Sequence, residues 1–74
     1  MNIEIIKEYF TLKVDEQNYQ IEFERHDHSA PWKMRIVNPD ENVILYTREL
    51  GAEVIVNAEL AQGIVEAYVV AVSE

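Results

Sequence analysis

The residues that come closest to chemistry in this chain of 74 lie in residues 24–32, ERHDHSAPW, which hold both histidines and the only tryptophan. His26 and His28 are two apart. An extended backbone would send both imidazoles to one side, where Glu22 or Glu24 could add a carboxylate and complete a site for Zn²⁺ or another transition metal. His26, Asp27, His28 and Ser29 also supply the residue types of a hydrolytic triad. Their adjacency argues against one, because neighbours in an extended segment point to opposite sides, whereas a nucleophile, its base and an orienting acid must converge. Asp27 between the histidines and Ser29-Ala30-Pro31 after them describe a polar connection between strands. The stretch is therefore read as a loop. His26 and His28 remain as the only metal candidates, and no cofactor is expected.

Other chemistry is scarcer still. The acidic pairs Asp15-Glu16 and Asp40-Glu41 fall among turn-forming residues, where water keeps carboxylates ionised and unsuited to general-acid work. Only two glycines occur, Gly51 and Gly63, so no glycine-rich phosphate loop exists. A chain this short has little room for a pocket that buries a substrate. The expectation is that it is not an enzyme.

The elements that would position these residues begin with alternating runs. In YFTLKV (residues 9–14), Phe10, Leu12 and Val14 alternate with Tyr9, Thr11 and Lys13. In YQIEFER (residues 19–25), Tyr19, Ile21 and Phe23 alternate with polar residues, and the period of two marks half-buried strands. With DEQN (residues 15–18) as the loop, Val14 faces Tyr19, Leu12 faces Ile21 and Phe10 faces Phe23. WKMRI (residues 32–36) continues with Trp32, Met34 and Ile36 on one side and Lys33 and Arg35 on the other, which sets those two bases against Glu22 and Glu24. NPDEN (residues 38–42) is the next turn. VILYTRE (residues 43–49) is the fourth strand: a five-residue loop turns Ile44 and Tyr46 inward, and a four-residue loop turns Val43, Leu45 and Thr47 inward.

The C-terminal third reads as a helix. Asn57 is a good N-cap, Glu59 suits the first turn, and Leu60, Ile64, Tyr68, Ala71 and Val72 recur at helical spacing. Val65, Val69 and Val72 form a second apolar stripe, and one sheet covers only one stripe. Gly63 in the interior and the β-branched valines favour a final strand as the alternative. Residues 52–56, AEVIV, fit a fifth strand or the first turns of a longer helix. The expected fold is α+β: one domain over residues 1–74, an antiparallel sheet of four strands, or five, with one C-terminal helix on one face. Core packing is expected for Phe10, Phe23, Trp32 and Tyr68, with Trp32 partly buried at the loop edge and Tyr9 exposed.

Charge and composition narrow the function. Fourteen acids against six bases give a net charge of −8, which disfavours nucleic acid and anionic membrane surfaces and favours a protein partner with a basic surface. No base follows Arg48, so Glu49, Glu53, Glu59 and Glu66 are the candidate partner-binding residues. With no cysteine and no apolar run of membrane-spanning length, and an N-terminus too polar for a signal core, a cytoplasmic location is expected. In size and composition alone the chain resembles the small acidic inhibitors of phages and mobile elements. That likeness implies an inhibitor or accessory factor acting on a nucleic-acid-handling protein. A self-assembling homo-oligomer, a homodimer in its simplest form, is the alternative, with Val37, Val43, Leu45, Val65 and Val69 as its interface. A third is a metal-responsive protein working through His26 and His28.

Overall fold

The structure, a computed structural model, describes residues 5–73. Four strands, β1 (Ile6–Val14), β2 (Gln17–Arg25), β3 (Trp32–Asn38) and β4 (Val43–Leu50), form one antiparallel sheet in chain order, and α1 (Ala58–Ser73) crosses one face of it. The expected α+β architecture is what the chain adopts.

The first hairpin is tighter than expected. Leu12 pairs with Tyr19, Phe10 with Ile21 and Glu8 with Phe23, so the loop is Asp15-Glu16 alone and Gln17 and Asn18 belong to β2. Both turn residues take left-handed backbone, with φ of 51° and 66°, as a two-residue turn matched to the strand twist demands. The register slips by two residues, an even number. Phe10, Leu12 and Val14 therefore still share the inward face with Tyr19, Ile21 and Phe23.

The second hairpin combines both expected registers. Asn38 pairs with Val43 and Val37 with Ile44 across a four-residue loop, but Ile36 pairs with Tyr46, which leaves Leu45 as the extra residue of a bulge. Beyond the bulge Tyr46 joins the inward side, beside Ile36 and Met34. The loop is braced by Asn38 Oδ1, which accepts from the amides of Asp40 at 2.9 Å and Glu41 at 3.3 Å.

The outward face of the sheet is mostly polar and self-neutralising, with Val37 and the exposed Ile44 paired at the end nearest the β3–β4 turn. Lys7, Glu24, Lys33 and Glu49 form one row across the four strands, and Tyr9, Glu22, Arg35 and Thr47 the next. Arg35 lies 3.5 Å from Glu22 and 3.7 Å from Glu24, and Lys7 lies 3.7 Å from Glu24, so the expected cross-strand charge pairing is present. Tyr9 is exposed here, as expected.

On the inward face the helix reverses the expected stripes. Ala61, Val65 and Val69 are buried in the core with Ile21, Phe23, Met34 and Ile36, whereas Leu60, Ile64 and Tyr68 are half-buried beside it and Ala71 and Val72 are exposed. The reason is side-chain length: alanine and valine at i, i+4 and i+8 let the helix lie close to the sheet, and the longer side chains reach sideways from its flank. α1 packs chiefly on β1 and β2. The helix starts where expected, with the Leu60 amide donating to Asn57 Oδ1 at 2.8 Å. Residues 52–56 are neither strand nor helix. A turn closes with the Val54 amide on the Gly51 carbonyl at 3.1 Å, and Val54 and Val56 then lean on the core while Ile55 stands outward. Among the described residues no helix is long and apolar enough to cross a membrane.

Candidate functional site

The segment that looked chemical is structural. Asp27 Oδ1 accepts from the amide of Ser29 at 2.8 Å and from its hydroxyl at 2.7 Å, and the Ala30 amide donates to the Asp27 carbonyl at 3.2 Å. The Ser29 hydroxyl, then its amide, hold the Asp27 carboxyl below the usual carboxylate range. Arg25 is the residue that sequence reasoning missed. Its guanidinium lies over the Trp32 ring, 4.1 Å from the centroid, and Nη1 donates to the carbonyls of His28 at 3.2 Å and Ala52 at 3.3 Å. Trp32 Nε1 donates to the Val54 carbonyl at 3.2 Å. Covered in this way, Trp32 is buried rather than partly exposed. Together Arg25 and Trp32 tie the β2–β3 loop to the segment that leads into α1. The signal in the sequence was an arginine and a tryptophan bracketing one loop, and it was legible only as composition. His26 and His28 are exposed. Among the described residues no three metal-ligating side chains come together.

A concave feature lies elsewhere, on the inward side of the sheet. Because α1 sits over β1 and β2, the inward side of β4 is left open, and a groove of about 700 Å³ runs between helix and strand. Met34 and Tyr46 line it from the sheet, Leu60, Gly63, Ile64, Ala67, Tyr68 and Ala71 from the helix, and Ile55 from the connection. Tyr46 and Tyr68 meet across it with ring centroids 5.9 Å apart and planes tilted by 34°. Ile55 is 79% exposed and Tyr46 41% exposed. Among the described residues, the charged ones lining the groove are Arg48 on β4 and Glu59 on α1.

The four acids singled out in the sequence are not gathered into one surface. Glu49 is on the outward face of the sheet opposite Lys33, and Glu53 is exposed in the connection. Glu59 stands at the groove, whereas Glu66, which accepts from Gln62 Nε2 at 3.0 Å, does not line it. The apolar residues expected at an oligomer interface are also dispersed. Val65 and Val69 are in the core, Val37 is buried in β3 and Leu45 is half-buried at the bulge, so of the five only Val43, 46% exposed, is available to a partner. The surplus apolar stripe of the helix exists, but it is Leu60, Ile64, Tyr68 and Ala71 instead of the valines.

The chain matches no protein-family model, and no curated protein or solved structure is significantly similar to it. The functional reading therefore rests on the groove and the charge.

Proposed function

We propose that this protein is a small protein-interaction module, without catalysis of its own, that binds through the groove between α1 and β4. The observation that carries this reading is the contrast between the two sheet faces. The outward face is chiefly a charge lattice, with Tyr9 and the Val37–Ile44 pair as its apolar members, whereas the open half of the inward face exposes tyrosine and aliphatic side chains around a continuous depression. Contiguous apolar surface of this kind marks an interaction site, and Tyr46 supplies an anchor of the type that dominates interfaces, with the exposed Ile55 adding apolar area.

A second reading is supported by the net charge of −8: attraction to a basic protein surface, in the manner of an inhibitor or accessory factor of a nucleic-acid-handling protein. In an up-and-down sheet both tight turns fall at the same end, so Asp15, Glu16, Asp40 and Glu41 share one pole of the molecule.

Capture of partners with wild-type and Ala67→Gln baits separates the two. Ala67 is exposed and lines the groove, and glutamine keeps helix propensity and net charge. A protein held by the wild type through high salt and lost by the variant supports the groove. Identical capture by both baits, released by moderate salt, overturns the groove in favour of the acidic surface.

A further inference from the structure

The helix is more apolar than one sheet can satisfy. Around α1 the side chains Glu59, Gln62 and Glu66 fall on one narrow stripe, and nearly all the rest of the circumference is apolar. The sheet buries the Ala61–Val65–Val69 stripe and half-covers Leu60, Ile64 and Tyr68, which leaves Ala67, Val70, Ala71 and Val72 exposed. A helix apolar on most of its circumference is characteristically covered on most of it.

We propose that the groove is filled by a second copy of this chain, in an isologous dimer whose contact centres on the Gly63 and Ala67 flank of α1 and on Tyr46 of β4. This rests on the groove being a protein-binding surface, and it names the occupant. Two features favour a second copy over an unrelated protein. First, the charges lining the groove are one base and one acid, Arg48 and Glu59. In an isologous contact Arg48 meets the partner's Glu59 and Glu59 meets the partner's Arg48, so the surface complements itself. A groove shaped for a basic partner would instead carry the excess of acid found over the rest of the chain. Second, Gly63 sits in the middle of α1, where glycine costs about 1 kcal/mol relative to alanine. A Cβ built there would meet nothing within 4 Å, so packing within the chain does not require glycine. Close approach of another helix gives it a use.

Sedimentation velocity on the full chain, from micromolar to millimolar concentration at physiological salt, tests this. Wild type is expected to dimerise. Gly63→Gln, for which the single chain has room, is expected to stay helical by circular dichroism and to weaken the dimer about tenfold or more by filling the approach. Arg48→Glu and Glu59→Arg are each expected to weaken it by a similar factor, since like charges then oppose one another, and the double swap is expected to restore it. A wild type that is monomeric at millimolar concentration overturns the second copy as occupant. A dimer indifferent to Gly63→Gln and to both charge swaps overturns the proposed contact. A monomer that still captures another protein, with capture lost in Ala67→Gln, refutes this inference and leaves the function proposed above standing; loss of both refutes the two together.

Discussion

The two hairpins are similar in length and alternation, yet one is closed and the other open. In β1–β2 the inward side chains lie under α1, and Ile21 and Phe23 are fully buried. In β3–β4 burial stops at β3: Trp32, Met34 and Ile36 are buried, whereas Tyr46 is 41% exposed and Arg48 is also exposed. A single helix about 10 Å across cannot cover four strands spaced nearly 5 Å apart. What decides which half is covered is the helix stripe of smallest side chains, since that stripe alone lets backbone approach sheet. The half that α1 leaves uncovered is where the apolar groove lies.

Matched truncations should expose that asymmetry most strongly. Phe23, fully buried with edge-to-face contacts to Phe10 and Trp32 at centroid distances of 6.0 and 6.3 Å, should cost about 3–5 kcal/mol when changed to alanine. That approaches the whole stability of a domain this small. Tyr46→Ala on the open half should cost about 1 kcal/mol or less in dilute protein, where no partner copy covers it. Urea unfolding of the two variants reads both effects. Equal losses would mean that the halves are not distinct. The same contrast should hold along α1, with Val65→Ala costing about 2 kcal/mol and Ile64→Ala clearly less.

The turns differ in the same direction. The open hairpin's loop is braced by Asn38, and its left-handed residue is Asn42, φ 54°, a residue type that tolerates that backbone. The closed hairpin forces Asp15 and Glu16 into the left-handed region, and for glutamate this costs about 1–2 kcal/mol. Glu16→Gly should therefore stabilise the chain by about 1 kcal/mol in thermal or urea unfolding, while Asn42→Gly should gain only a few tenths. If Glu16→Gly destabilises, the two-residue turn is not the one adopted. Asn57→Ala, which removes the acceptor for the Leu60 amide, should cost about 1 kcal/mol without altering the sheet, and amide exchange at the start of α1 would show the loss as local fraying.

Strand positions and inward faces were legible because a period of two survives any even slip of register. The slip itself was not: Gln17 and Asn18 look like turn residues, and nothing in DEQN announces that the backbone of Asp15-Glu16 alone makes the reversal. The bulge at Leu45 was equally hidden, since each unbulged register accounts for only part of β4. The helix was legible from Asn57 onward. Which of its two apolar stripes faces the sheet was not, because periodicity ranks side chains by polarity while close approach ranks them by size. The groove followed from that choice, so its residues could be named only as a surplus. The acids after Arg48 were visible as a run of one sign, but sequence order carried no information about their scattering over strand, connection and helix.

The smallest predicted effect lies where the two hairpins join. Asp27 holds the β2–β3 loop by accepting from Ser29, and those bonds favour its ionised form, so its folded pKa lies below its unfolded one. A carboxyl shifted in this sense contributes its stability fully above the unfolded pKa, near 4 or about there, and loses it as pH falls through the lower folded value. The contribution is small because the carboxyl is fully exposed. Ser29→Ala removes one of the two donors and should raise the Asp27 pKa towards its ordinary value, read by carboxyl-carbon NMR through an acid titration. Arg25 and Trp32 should keep the loop attached to the segment before α1 meanwhile, so global stability near neutrality should change little. A pKa that does not move would show that the hydroxyl is not the donor holding Asp27. A large loss of stability would show instead that the loop depends on this turn more than on the arginine stacked over the tryptophan.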